Sequence, residues 1–503
     1  MRPEPAADEI VWGTPRARWV LLATVVGSGL AFLDASTVNV ALPSISADLG
    51  TGVAGLQWVL NAYTLALAAL IPLGGSLADR FGRRRVFQIG VVWFAVASLL
   101  CGLAPTGEVL AFARGLQGVG GALLTPGSLA ILQASFVRRD RARAIGAWSG
   151  LSGIASALGP LLGGWLIDVL SWRWIFFTNL PLVAVVLLVT ARHVPETRDP
   201  RAPREFDAAG VLLVVAGLGS LSWSMISAGG QGFGAAELGL AGAGVAALAV
   251  FVAVEARSSS PMLPLWLFSN RQFTAANVVT LAVYAALAGM MFLLVLYLQR
   301  VAGYSALAAG AALLPITALM LAFSARAGHL AERIGPRWPM TVGPLVMSAG
   351  MLLLLRTGPS GAYLTTVLPA VLVFGAGLAT TVAPLTATVL AGVPERHSGL
   401  ASAVNNALSR GAGLVAVAVL PLVSGISGAA YRDPALFTAG FHTAMAVCAA
   451  ATAAGGVLAA LLVRNRLDGD TAAACPASGV DRHHHCAVDG PPIESDHAEA
   501  PDR

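Results

Sequence analysis

The sequence contains no lysine: all 31 of its cationic side chains are arginine. That absence removes the Gly-x-x-x-x-Gly-Lys loop that cradles the phosphates of ATP. Any work done by this chain must then draw on an ion gradient or on a solute's own gradient. Charge of either sign is also scarce, at 11% of residues against about 25% in soluble proteins, which excludes a water-soluble globule. Cysteine is nearly absent. Cys101 and Cys448 lie in apolar runs and Cys475 and Cys486 in a polar tail, at spacings that suit neither a disulfide scaffold nor a zinc site. The run His483, His484, His485 beside Cys486 is read as an incidental polar tract, so no metal and no cofactor are expected. No His, Cys or Ser constellation with a paired base stands out, which argues against an enzyme.

What fills the chain instead is apolar. Hydrophobic residues make up 56% of its 503 residues, and mean hydropathy is +0.75. Runs of about 20 such residues are what a helix needs to cross a bilayer. They recur near 18–42, 54–78, 85–104, 108–134, 144–168 and 173–192, then 207–227 and 235–256, then 272–299, 303–327, 338–356, 362–390, 398–426 and 436–463. The expected fold class is therefore an all-α polytopic membrane protein with 14 transmembrane spans. Its expected division is a cytoplasmic segment 1–17, a six-span half 18–192, a cytoplasmic linker 193–206, two inserted spans 207–256, a cytoplasmic loop 257–271, a second six-span half 272–463 and a disordered acidic tail 464–503.

Arginine placement fixes the expected orientation, because cytoplasmic loops carry the excess of positive charge. With both termini cytoplasmic, only Arg173, Arg300, Arg356 and Arg432 fall on the outer side, and Arg114 and Arg410 fall within spans. The first apolar run is too long for a cleaved signal peptide and contains Asp34. Because the arginines occupy loops rather than one helix face, no nucleic-acid partner is expected despite the net charge of +5.

The two halves repeat at the level of a loop. Residues 75–84, GSLADRFGRR, match 328–337, GHLAERIGPR, each copy following the second span of a six-span block. Parallel repeats of this kind place a substrate site between the halves near mid-membrane. On these residues the chain resembles the major facilitator superfamily, and within it the fourteen-span drug:proton antiporters. Residues 33–43, LDASTVNVALP, resemble the first-span signature of that group; 114–120, RGLQGVG, the fourth-span motif; 159–164, GPLLGG, the antiporter motif of span five; and 172–181, WRWIFFTNLP, the start of span six. The antiporter motif usually begins with a glycine where this chain has Ala155.

The resemblance implies a major facilitator fold, two six-helix halves plus two central extra helices. Asp34 is the only carboxylate near the middle of a span. An ionised one there costs about 3 kcal/mol, so it should face a wet cavity or take a proton. Arg114 is its expected partner, since the first and fourth helices of a half line one cavity in the resembled fold; a purely structural pair is the alternative. Gly75, Asp79, Arg80, Gly82, Arg83 and Arg84, with Gly328, Glu332, Arg333 and Gly335, are expected to form gate loops in which a carboxylate bonds its own turn or faces a helix of the other half. Pro160 cannot donate its backbone hydrogen bond, and Ala155, Gly159, Gly163 and Gly164 permit close helix approach, which suits a helix that seals in one state. Asn39, Gln57, Asn61, Tyr63, Tyr284, Met291, Asn405, Asn406 and Arg410 are the expected cavity groups.

The function expected is proton-coupled efflux of a hydrophobic or amphiphilic small molecule, such as an antibiotic, across the plasma membrane. The scarcity of membrane carboxylates points to neutral, zwitterionic or monocationic substrates. A proton-coupled solute importer and a non-transporting membrane sensor or assembly partner are the alternatives, and a monomer suffices for transport.

Overall fold

Hydrocarbon cannot hydrogen-bond a peptide group, so a chain this apolar must satisfy its backbone within helices. The computed structural model describes residues 10–198, 207–258, 261–358, 362–394, 397–428 and 430–465. Within them are fourteen helices long and apolar enough to span a membrane. They are α1 (Pro15–Leu49), α2 (Val53–Phe81), α3 (Arg83–Gly102), α4 (Gly107–Ser135), α5 (Arg138–Val169), α6 (Trp174–His193), α7 (Ala208–Gly230), α8 (Ala235–Glu255), α9 (Arg271–Arg300), α10 (Ala306–Ile334), α11 (Arg337–Arg356), α12 (Tyr363–Ala391), α13 (Ser398–Val423) and α14 (Pro434–Leu462). Residues 199–206 of the linker, and the tail with its histidines and Cys475 and Cys486, lie outside the described residues.

Helix ends follow local chemistry. The Thr14 hydroxyl accepts from the Ala17 N–H at 3.2 Å to start α1, and Gly50, at φ 65°, ends it. Asn270 and Asp433 cap α9 and α14 in the same way. The helices overrun the apolar windows: α1 continues past residue 42 through Ser44, Ser46 and Asp48, and α5 begins among the arginines at 138. Hydropathy marks the slab, and the backbone keeps its hydrogen bonds beyond it.

Each half is tied by close helix contacts at equivalent places. In the first, a side chain on Gly120 would meet the Phe94 N–H at 2.7 Å, bringing α4 against α3; in the second, one on Gly377 would meet the Met347 N–H at 2.5 Å, bringing α12 against α11. One large apolar cluster crosses between the halves, joining Val38, Leu42 and Ile45 of α1 to Leu293, Leu296 and Tyr297 of α9. A second, around Tyr63, Phe87, Phe94 and Leu124, is internal to the first half. The inserted pair sits outside this bundle. α7 packs against both α2 and α13, while only 11% of the most apolar window of α8 is buried.

Candidate functional site

The two charges within the apolar spans of the first half meet. Arg114 on α4 and Asp34 on α1 form an ion pair through Nη1 and Oδ2, with the residues 1% and 2% exposed. Burying an ion pair pays only when the remaining donors and lone pairs are also satisfied, and most of them are met here. Arg114 Nη1 donates to Gln117 Oε1 at 2.6 Å and Nε to the Val59 carbonyl at 3.2 Å. Gln117 Nε2 donates to Asp34 Oδ1 and to Ser98 Oγ, both at 2.9 Å. Asn179, at the start of the long segment of α6, donates to Ser98 Oγ at 3.3 Å and to Asp34 Oδ1 at 3.5 Å. The guanidinium also lies 4.2 Å over the Tyr63 ring, a placement that holds a desolvated cation. Gln117 and Asn179 entered the sequence reading only as members of the fourth-span and sixth-span motifs, with no part in the Asp34 network assigned to either.

Beside this network is a cavity of about 540 Å³ between the halves. Asn39, Asn61, Tyr63, Arg114, Tyr284, Met291, Asn405, Asn406 and Arg410 line it; Asp34 does not. Arg114 thus stands between the carboxylate and the space a substrate could fill. Arg114 and Arg410 give the lining positive charge, and no carboxylate is among its residues. Asn405 is held by bonds to Asn277 Oδ1 at 3.0 Å and Thr280 Oγ1 at 2.8 Å.

Gln57 is a correction. Instead of lining the cavity it is 3% exposed and donates across the halves to the Val417 and Ala418 carbonyls at 2.7 and 3.1 Å. Pro421 of α13 has no N–H, which frees the carbonyl four residues earlier, that of Val417, and the Gln57 amide takes it up.

That contact belongs to a seal. Among the described residues, the hydrogen bonds joining the halves run from Gln57 to α13, from Gln299 to the Val40 carbonyl, from Arg300 and Tyr431 to Ser46, and from the Ala306 and Leu307 N–H groups to the Asp168 carboxylate. All lie toward the end away from the termini. The antiporter motif completes it. Thr37 donates to the Gly159 carbonyl at 3.1 Å, and side chains at Gly164 and Gly310 would strike Leu307 of α10 and the Pro160 carbonyl. A Cβ on Gly29 would stand 3.4 Å from that of Ala155, an ordinary contact, so alanine is accommodated there. From this seal the cavity reaches Leu390 and Ser402, near the terminal-side ends of α12 and α13.

The two repeated loops are tied within their own halves. Asp79 accepts from Arg83 Nη2 at 2.7 Å, four residues on, and so bonds its own turn. The N–H groups of Arg84 and Arg85, which open α3, donate to the Glu196 carboxylate at 3.1 and 3.2 Å. In the second half the Arg337 N–H donates to Asn465 Oδ1 at 3.3 Å. Gly82 and Gly335, at φ 109° and 86°, abut those two side chains. Both caps therefore come from just beyond the last span of the same half, where no local pattern could reveal them. Arg80 rests over Phe81, Glu332 pairs with His329 at 3.2 Å, and Gly75 and Gly328 approach the fourth helix of their respective halves. Arg333 lies in the last turn of α10.

Comparison with known proteins agrees with this architecture. Over 389 residues, 77% of this chain and 72% of the relative, it is 38% identical to the multidrug resistance protein Stp of Mycobacterium tuberculosis. Over 421 residues, 83% and 84% of the two chains, it is 36% identical to the puromycin resistance protein pur8 of Streptomyces alboniger. A crystal structure of a bacterial homolog to the human lysosomal transporter Spinster, inward-facing and unoccupied, matches its fold with a TM-score of 0.61 at 19% identity, covering 90% of this chain and 97% of that one. Fourteen apolar helices make the chain a multi-pass plasma-membrane protein, and residues 24–418 match the family model of the Major Facilitator Superfamily. A buried ion pair, an inter-half cavity and a duplicated six-helix plan are thus explained together: the chain belongs to the Major Facilitator Superfamily.

Proposed function

We propose that the chain exports hydrophobic or amphiphilic small molecules, antibiotics among them, in exchange for protons, by alternating access of its two halves. The relatives named for multidrug and puromycin resistance support the substrate class. The positive lining from Arg114 and Arg410, without a carboxylate, favours neutral or zwitterionic compounds over cations. Arginine asymmetry puts the termini in the cytoplasm, so the sealed end faces outward and the cavity stands ready to load from inside.

One observation carries the coupling: the Asp34–Arg114 pair is buried behind the cavity wall, with only the arginine facing the cavity. In the loading state both are charged and paired, and substrate meets Tyr63 and Arg114. After the halves rock outward, a proton from outside binds Asp34 and cancels its charge. Arg114 is then a desolvated cation without its counter-ion, water and not an apolar ligand satisfies it best, and the substrate leaves. Return to the inward state restores the pair and releases the proton inside. Each proton entering is worth about 2.3 kcal/mol per 100 mV of membrane potential. Ligand and proton compete through Arg114 without sharing an atom.

Everted vesicles acidified inside test this, with proton release followed as antibiotics and lipophilic cations are added. Wild type is expected to release protons in response to some neutral or zwitterionic compounds, and Asp34→Asn to release none while remaining folded. Undiminished release by Asp34→Asn would remove Asp34 from the coupling. Uphill accumulation of compound by intact cells would overturn export.

A further inference from the structure

The inserted helices contain a second buried acid, outside the Asp34 network. Glu255, the last residue of α8, is 2% exposed. Its side chain faces that of Asp207, the residue that caps α7. Their facing oxygens, Glu255 Oε1 and Asp207 Oδ2, lie 2.7 and 2.5 Å from the position a Cβ on Gly210 would occupy, so only a glycine leaves room for the contact. Each carboxylate has its other oxygen committed. Asp207 Oδ1 accepts from the Gly210 N–H at 2.7 Å, and Glu255 Oε2 accepts from the Leu263 N–H at 2.8 Å. The facing oxygens have no hydrogen-bond partner, and two ionised carboxylates offer only acceptors.

We propose that Asp207 and Glu255 share one proton, a proton-binding site of the inserted helices that is separate from Asp34. A single proton satisfies both orphaned oxygens: Glu255 Oε1–H donates to Asp207 Oδ2. The helix dipoles assign it to that side. Asp207 sits at the N-terminus of α7, where negative charge is stabilised, and Glu255 at the C-terminus of α8, where it is not. Among the described residues, the surroundings add no competing charge. The segment after α8 presents backbone N–H groups of Met262 and Leu263, and α2 presents Ala69 and Leu70 to the same apolar cluster. Arg257, two residues on, is exposed, and among the described residues no arginine forms an ion pair with either acid.

The site has something to control. Leu263, held by Glu255, and its neighbour Met262 are part of the wall of a second cavity of about 550 Å³, lined also by Val214, Phe251, Leu408 and Leu420. That chamber lies between the inserted pair and the second half, at the opposite side of α13 from Asn405 and Arg410. Losing the shared proton sets two carboxylates against each other and pulls on the segment that forms its wall. The inserted helices are thus a proton-sensitive clasp on an apolar side chamber, whether or not the central cavity exports drugs.

Infrared difference spectroscopy of the full-length protein in proteoliposomes, titrated with pH, reads the protonated carboxyl C=O stretch directly. Wild type is expected to show such a band at neutral pH that disappears on alkalinisation. Glu255→Gln is expected to lose that band and Asp34→Asn to keep it. Asp207→Asn, which leaves an amide in place of the second carboxylate, is expected to change the pH at which the band is lost. Absence of the band in wild type overturns the proposal without reference to any variant. A band that survives in Glu255→Gln, or a midpoint unmoved in Asp207→Asn, overturns it as well.

Discussion

At the scale of single residues, the buried pair makes an energetic claim of its own. Removing one partner leaves the other as an uncompensated charge beneath the cavity wall, which typically costs about 3–5 kcal/mol, whereas replacing both by apolar groups is often neutral. Arg114→Leu and Asp34→Leu are each expected to lower the thermal midpoint strongly in detergent, and the double variant to recover most of the loss. Midpoints that simply add would mean that the 1% and 2% exposed side chains do not depend on one another. The two charges were legible in the sequence because charge in an apolar run is expensive and therefore rare, and their pairing followed from the family resemblance. The supports of the pair were not legible. Gln117 and Asn179, which reach the Asp34 carboxylate, and Ser98, which accepts from both, carry no charge, and their convergence depends on α3, α4 and α6 meeting at α1. Gln57 was misread for the same reason: its partner is a carbonyl freed by Pro421 on a helix far away in the chain.

At the scale of helices, small residues on α5 decide how tightly the halves close. A Cβ at Gly164 would stand 2.5 Å from the Leu307 Cα and 2.7 Å from the Ala306 carbonyl, both backbone positions that cannot swing away. Gly164→Val is therefore expected to open the seal and not to unfold either half. A cysteine at Ala309, fully buried at that seal, should become several-fold more reactive toward a membrane-impermeant maleimide added from the side opposite the termini, and transport should fall. Ala155→Gly should change neither, because the contact there is already an ordinary one. Unchanged labelling in Gly164→Val would show that α5 and α10 do not form the gate. The glycines and Pro160 could be read as a packing surface from sequence. That their partner is α10 of the other half, capped by Asp168, could not.

At the scale of the whole molecule, an even number of crossings places both termini on one side, and the central cavity reaches that side. On the orientation proposed from the positive-inside distribution of arginine that side is the cytoplasm, so compartment and conformational state become one question. Ser402 lines the cavity in the second turn of α13. In a background lacking Cys475 and Cys486, Ser402→Cys is expected to react with an impermeant thiol reagent in everted vesicles and to be protected in intact cells. The native Cys101 and Cys448 are buried and should stay silent. An outward-facing population induced by Gly164→Val should shift that reactivity toward the cell exterior, because one cavity serves both faces in turn. Labelling of Ser402→Cys from outside in the unmodified transporter would invert the assignment of the sealed end, and with it the side from which substrate loads.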